Sequence, residues 1–255
     1  MTTRLAALTA RLNPHSETPA LDAQVLLAHV TGKPRAWVLA HPDVPLTPEQ
    51  ERALKAALSR IERGEPLPYV LGHWEFYGLD FLVTPDVLIP RPETELLVEH
   101  AIEWLTAHPE RRLAADVGTG SGCIAIALAV HVPDLSVIAT DISAAALEVA
   151  RRNARRLDVG ERIRFICCDL LPEPSEPLDL LCANLPYIPS ATLRDLDVYR
   201  REPTLALDGG PDGLDLIRRL LTIAPRYLSP GGLILLEIEA SQGVQALALA
   251  YDAFE

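Results

Sequence analysis

The chain has 255 residues, 49% of them hydrophobic, which allows one large or two small domains with cores of their own. A formal charge of -12 argues against a protein built to grip nucleic-acid phosphates, which calls for a basic face. The four cysteines (Cys123, Cys167, Cys168 and Cys182) form no CxxC pair and read as buried free thiols of a reducing cytoplasm with no metal site, and no apolar run has the length of a signal peptide or a membrane span.

Residues 1 to about 63 read as helical. Leu5, Leu8 and Leu12 share a helix face. A second segment, 19–30, puts Leu21, Val25, Leu26 and His29 on one side, with Asp22 as an early acid and Gly32 and Pro34 beyond its end. Thr47-Pro48-Glu49-Gln50 has the form of an N-cap, a first-turn proline and then acid. The helix it opens carries Leu54, Leu58 and Ile61 to a stop at Gly64. No catalytic constellation lies here, so this is a structural or a docking domain.

Residues 65–95 look like a hairpin and a stiff loop. The pieces 74–77 and 80–84 flank Gly78, and Pro90-Arg91-Pro92 leads to a helix over 93–107 with Leu96, Leu97, Ile102 and Leu105 among its apolar positions. Arg91, Glu93 and Glu95 would form a local ion-pair network. The run EPLPYVLGHWEFYGLDFLVTPDVLIPRPETELLVE (65–99) closely resembles the domain junction of the HemK/PrmC family, protein-(glutamine-N5) methyltransferases that act on class I peptide chain release factors.

A strand over 112–117 then runs into Asp116-Val117-Gly118-Thr119-Gly120-Ser121-Gly122 and a helix over 123–130. Alternate glycines permit a tight turn and close approach of a ligand to the main chain. The spacing is neither the dinucleotide GxGxxG nor the phosphate-binding GxxxxGK[ST]. It is similar to that of class I S-adenosyl-L-methionine (SAM) enzymes, where Asp116 would orient the cofactor ammonium group directly or through water. A second strand, 136–140, ends in Asp141, placed about twenty residues on to accept ribose hydroxyls. Ser143 caps the next helix, which turns Ala146, Leu147 and Ala150 inward and leaves Arg151, Arg152, Arg155 and Arg156 as a solvated face. ATDISAAALEVARRNARR (139–156) resembles the same family. A third strand, 162–167, leads to Asp169, an acceptor for an adenine amino group, and Leu170, which would lie on the adenine ring where the family often has an aromatic residue. Each of these acids has a plainer reading as a strand end.

A turn over 172–177 precedes a fourth strand, 178–183, and then Asn184-Leu185-Pro186-Tyr187. The turn sits just past the carboxyl end of a strand, where open α/β sheets bind ligands. Pro186 fixes its own φ and makes Leu185 extended. The Asn184 side chain and the Leu185 carbonyl can thus stand as neighbouring acceptors for an NH2 group, with Tyr187 as a flat wall. The alternative is an Asn-Pro loop chosen for turn geometry. The turn resembles the Asn-Pro-Pro-Tyr signature of amide and amino methyltransferases, with Leu185 in place of the first proline. REPTLALDGGPDGLDLIRRLL (201–221) again resembles the family, with 202–213 expected above the sheet near the substrate and a helix from 214. Pro230-Gly231-Gly232 would be a turn into a fifth strand, 233–238. Glu239 stands where the family usually has glycine, with Gln242 nearby. The family continues into two further strands; five are expected here, the fifth an open edge.

Together these imply an α/β class I SAM-dependent methyltransferase, Rossmann-like with a mainly parallel sheet, a small N-terminal helical domain and a linking β-hairpin. The domains would be 1–72 (helical, substrate-docking), 73–92 (hairpin and linker) and 93–255 (methyltransferase). The resemblance implies a cytoplasmic enzyme, monomeric, that methylates the glutamine of the GGQ loop of class I release factors with SAM. Substrate and catalysis would rest on Asn184, Leu185, Pro186 and Tyr187. Cofactor binding would rest on Asp116, Gly118, Thr119, Gly120, Ser121, Gly122, Asp141, Asp169, Leu170 and Asn184. Other readings are methylation of a ribosomal-protein glutamine or of adenine N6, the latter disfavoured by the charge, and a SAM-binding module without catalysis.

Overall fold

Two helix starts in the N-terminal region follow side-chain caps. The computed structural model describes residues 3–173 and 176–254, in two compact units, Met1–Gly72 and His73–Glu255. The turn expected over 172–177 falls partly outside the described residues. In the first unit, Thr3 accepts the Ala6 N–H at the start of α1 (Arg4–Leu12), which buries Leu8 and Leu12. α2 (Pro19–Thr31) closes on Gly32, whose φ of 65° is the left-handed conformation that favours glycine. Its buried residues are Ala23, Leu26 and Leu27; Leu21 and His29 are exposed, contrary to the expected stripe. α2 packs against α1, α3 (Arg35–Ala40), α4 (Pro48–Ile61) and α5 (Leu67–Leu71), so no single narrow stripe describes its inward surface. Thr47 and Gln50 form a reciprocal capping box on α4. α5 lies in what read as linker: it buries Leu67, Pro68, Tyr69 and Leu71, and Arg60 ties it down by donating to the Tyr69 and Val70 carbonyls at 3.1 Å each.

The second unit begins with an antiparallel hairpin, β1 (His73–Phe76) and β2 (Leu79–Leu82). Its two-residue turn, Tyr77-Gly78, has positive φ at both positions (51° and 72°), the form that suits right-twisted strands. This moves the strand ends back a residue from those expected. Asn153, fully buried, accepts the Leu82 N–H and donates to the Leu82 and Ser121 carbonyls.

The five-stranded sheet is wholly parallel, ordered β5-β4-β3-β6-β7. Its elements are α6 (Thr94–Ala107), β3 (Leu113–Val117), α7 (Cys123–His131), β4 (Ser136–Asp141), α8 (Ala144–Arg156), β5 (Ile163–Cys167), β6 (Leu178–Ala183), α9 (Ser190–Leu193), α10 (Asp215–Ile223), β7 (Leu228–Leu236) and α11 (Gly243–Phe254). The central strands are apolar on both faces, as parallel strands between helices must be. Ala114, Leu180 and Cys182 enter one core with Val98, Leu105, Ile126 and Leu128. Ala115, Val117, Leu181 and Ala183 enter the other with Ile217, Leu220 and Leu221 of α10.

Four local expectations change. α6 turns Leu97, Val98, Ala101 and Leu105 inward and leaves Leu96 57% exposed, because both Leu97 and Val98 fall on the packed side. Pro230-Gly231-Gly232 is no turn before β7 but lies inside it: a register irregularity opposite Leu178 and Leu180 absorbs it, and a Cβ on Gly232 would stand 3.0 Å from the Asp179 carbonyl. β7 accordingly starts at Leu228 and stops at Leu236. Among the cysteines only Cys182 is fully buried; Cys167, at the end of an edge strand, is exposed. Among the described residues no helix is long and apolar enough to cross a membrane.

Candidate active site

Strand order reverses at β3, which pairs with β4 on one side and β6 on the other. At such a point the loops leaving adjacent strands diverge and open a crevice. A cavity of about 400 Å³ lies at these carboxyl ends, lined by the loops after β3, β4, β5 and β6, by residues 85–88, Pro90, Arg91 and Thr94, and by Pro203, Leu205, Ala206, Leu216 and Arg219. Of the residues expected at the site, Gly118, Thr119, Gly120, Ser121, Asp141, Asp169, Leu170, Asn184, Leu185 and Pro186 line it. Asp116, Gly122 and Tyr187 are not on its wall.

The glycine loop is strapped to β4. The N–H groups of Gly118 and Thr119 donate to the Thr140 carbonyl at 2.9 and 2.8 Å, and that of Gly120 donates to Asp141 Oδ2 at 2.9 Å. Gly118, Gly120 and Gly122 have φ of 74°, 54° and 84°, so side chains there are strained. A Cβ on Gly122 would meet Ile126 Cδ1 at 2.8 Å, and one on Gly118 would meet Leu185 Cδ2 at 3.0 Å. The third glycine therefore serves packing of the loop on α7 and α8, and the first serves the approach of the Asn184 turn.

Asp116 stands behind this loop, fully buried. Its Oδ2 accepts the Thr119 hydroxyl at 2.6 Å and the Ala125 N–H at 3.1 Å, while Oδ1 has no partner. Burial pushes its pKa up to about 6, against the pull of those two hydrogen bonds. Asp141 accepts the Ser143 N–H on its other oxygen at 2.8 Å, and burial raises its pKa too. Asp169 is half-exposed and paired with Arg219 at 2.5 Å. Leu170 has a φ of 59°, a strained value for a leucine that is offset where its carbonyl accepts the Thr140 hydroxyl at 2.6 Å.

The Asn184 turn is held on both flanks. Val117 pairs with Ala183, and the Ala183 carbonyl accepts the Glu237 N–H at 3.0 Å. Asn184 Nδ2 donates to Thr94 Oγ1 at 3.0 Å, and Leu185 is buried. Tyr187 departs from the expected wall: its hydroxyl donates to Glu237 Oε1 at 3.3 Å and its carbonyl accepts Gln242 Nε2 at 2.9 Å. Burial, with Glu237 beside it, pushes its hydroxyl up to about 12.

Several contributors escaped the sequence reading. Glu202, 9% exposed, accepts the Ile89 N–H at 3.0 Å and the Arg91 guanidinium, joining the two segments that close the cavity. Arg91, Glu93 and Glu95 thus form no network of their own; Glu95 instead accepts the Tyr77 N–H at 2.8 Å. Neighbours on a proline-restricted loop point apart, and their partners come from distant chain. Thr94, Asn153 and Arg219 were missed likewise, and Gln242 was noted without a role. Thr94, between Glu93 and Glu95, and Asn153, after Arg151 and Arg152, sit among charged neighbours and give no local signal.

Residues 4–72 match the model of the PrmC N-terminal domain family, and residues 114–197 that of a methyltransferase domain family. A release factor glutamine methyltransferase of Moorella thermoacetica is 48% identical over 242 residues, covering 93% of this chain and 85% of its own length. One from Bordetella pertussis is 45% identical over 240 residues, covering 92% and 87%. A crystal structure of a SAM-dependent methyltransferase from Agrobacterium tumefaciens superposes with a TM-score of 0.54 at 16% identity, covering 72% of this chain and 58% of that one, a likeness of fold.

Proposed function

Because the chain belongs to the release factor glutamine methyltransferase family, we propose that it transfers a methyl group from S-adenosyl-L-methionine to the side-chain amide nitrogen of the GGQ glutamine of class I release factors. The observation that carries this reading is a shared cavity. The glycine loop with Asp141 and the Asn184-Leu185-Pro186 turn open onto the same 400 Å³ space. One half suits a nucleoside with an amino-acid tail; the other suits an amide.

The residues fit such a cofactor. The positive-φ glycines let a ligand approach the main chain, Asp141 offers a carboxylate at the strand end, and the unpartnered Asp116 Oδ1 is a buried acceptor behind the loop. When bound, SAM supplies a methyl group activated by its sulfonium charge. An amide nitrogen is a poor nucleophile, its lone pair being delocalised into the carbonyl. Asn184 Oδ1 and the Leu185 carbonyl accept its two hydrogens and fix the direction of the nitrogen. Accepting both also supports the positive charge that grows there as the new bond forms. The proton leaves after transfer, so no base has to act first. Positioning of this kind supplies on the order of 7–11 kcal/mol. Tyr187, tied to Glu237 and Gln242, holds the turn from behind. Asp169 and Leu170 take the adenine end. The helical unit Met1–Gly72 is assigned to release-factor docking, the reaction to the cytoplasm and the enzyme to a monomer.

Incubation of a purified release factor with this protein and SAM, followed by mass spectrometry, is the test. The expected result is one added methyl group on the GGQ glutamine, lost in Asn184→Ala while SAM still binds. Unchanged methylation in that variant would remove Asn184 from the mechanism.

A further inference from the structure

We infer that Thr94 is the positioning residue for Asn184: its hydroxyl takes a hydrogen of the Asn184 amide and holds that amide along the axis on which its oxygen meets the substrate. This rests on the glutamine-methylating reading above and assigns a residue from outside the Asn184 turn to it.

A planar amide has two unlike ends on one freely turning bond. A half-turn of the Asn184 side chain exchanges Oδ1 for Nδ2 at almost no cost in shape. Only one of the two orientations works here. With Oδ1 forward, Asn184 accepts a hydrogen of the substrate NH2. With Nδ2 forward, donor meets donor, and the nitrogen to be methylated is repelled or turned away. The turn itself does not hold the side chain, since Pro186 and Leu185 constrain only the main chain.

A hydroxyl can meet either end of an amide, so the substrate NH2 selects the oxygen, and Thr94 fixes the axis along which it is presented. Thr94 lies 90 residues earlier, in the first turn of α6, and is only 2% exposed, yet its Oγ1 stands 3.0 Å from Asn184 Nδ2. With Nδ2 held there, Oδ1 is the opposite end of the plane. Both partners sit on rigid elements. The Thr94 N–H donates to the Arg91 carbonyl at 3.1 Å, Arg91 is clamped by Glu202, and α6 is anchored by fully buried Val98 and Ala101. On the other side, Ala183 is bonded into the sheet as described. A threonine at the start of a helix ordinarily caps its own N–H groups. Here Glu93 is the residue at the cap position, and the Thr94 hydroxyl meets Asn184.

Thr94→Val keeps the shape and removes the acceptor; Thr94→Ser keeps the acceptor. Relative to wild type, Thr94→Val is expected to lower kcat for release-factor methylation at least tenfold, with KM for the release factor and Kd for SAM within twofold. Thr94→Ser is expected to stay within threefold in all three. The chain has only three asparagines, Asn13, Asn153 and Asn184. Asparagine-selective 15N labelling therefore gives three side-chain NH2 signals, assigned with Asn184→Asp and read without any substrate. The Asn184 pair should shift and exchange faster in Thr94→Val and not in Thr94→Ser, while the Asn153 pair stays put as a fold control. If Thr94→Val disturbs the Asn153 pair, Thr94→Ala replaces it in the same comparison. A wild-type kcat in the variant lacking the hydroxyl, an unmoved Asn184 signal, or a serine variant as slow as the valine one would overturn the inference. A wild-type protein that methylates no release factor while its Asn184 signal still answers to Thr94→Val defeats the functional reading separately, leaving the hydrogen bond but no positioning role.

Discussion

Gly213→Ala should loosen the Asn184 turn without touching the cavity wall. Gly213 has a φ of 78°, and a Cβ there would stand 2.2 Å from the Tyr187 carbonyl oxygen and 2.3 Å from Gln242 Nε2. Alanine in the left-handed region costs about 1–2 kcal/mol by itself. The clash adds to that, because the Gln242 amide must give up its bonds to the Tyr187 carbonyl (2.9 Å) and the Asp212 carbonyl (3.2 Å). Gln242 is 6% exposed, so water does not replace them. Stranding a buried amide costs about 1–3 kcal/mol, bringing the total to about 2–5 kcal/mol. Urea unfolding monitored by circular dichroism measures the loss, and Gln242→Met, which removes the bonds without adding the Cβ, should show only the hydrogen-bond part of it, about 1–3 kcal/mol. Turnover should fall in both variants, since the Tyr187 carbonyl directly follows Pro186. A Gly213→Ala protein within 1 kcal/mol of wild type, with normal turnover, would refute the packing argument.

Asp116 should give the protein a pH-dependent stability. Its folded pKa of about 6 lies above its ordinary 3.8, so the native state holds the proton more tightly, and stability should fall as pH rises from about 4 to 6, then level off. Two units amount to about 3 kcal/mol, and denaturation of Asp116→Asn across this range should lack that slope. Asp141→Asn loses a charged acceptor and should weaken SAM binding by roughly 10–100-fold in calorimetry, with turnover at saturating SAM much less affected. Glu202→Ala strands the Ile89 N–H and unpairs Arg91 and should destabilise by about 1–3 kcal/mol in chemical denaturation; Glu202→Gln, which keeps an acceptor, should lose less than half as much. Thr47→Ala removes the side-chain acceptor from the α4 capping box and should cost about 1 kcal/mol of stability, read by hydrogen exchange in Pro48–Ile61.

The parts legible in the sequence obey short-range rules. Alternate glycines after an apolar strand can hardly do anything but turn, and the Thr47-Pro48-Glu49-Gln50 cap and the 178–183 strand need only their own neighbours. The parts that were not legible depend on what arrives from elsewhere. α2 is surrounded, so its periodicity did not reveal its inward face. Pro-Gly-Gly reads as a turn until a partner strand shows that it is a bulge. Tyr187 sits beside Asn184 in the chain, yet its ring is drawn toward Glu237, fifty residues on. Arg91 had two acids nearby and took Glu202, 111 residues away. In the site, most of the residues expected there by type and spacing do line the cavity, while Asp116, Gly122 and Tyr187 stand behind its wall. The groups that hold them could not be found in this way, because a hydrogen bond across 90 residues leaves no period in the sequence.

The order of strands in the sheet also orders events in time. β3, β4 and β5 are consecutive in the chain and pair side by side, so the glycine loop, Asp141 and Asp169 are all present once about 170 residues have left the ribosome. β6 and β7 add later, on the opposite side of β3, and Gln242, which ties down the Tyr187 carbonyl, comes later still. The groups assigned here to the methyl donor thus come together, in order of synthesis, ahead of the turn assigned to the amide.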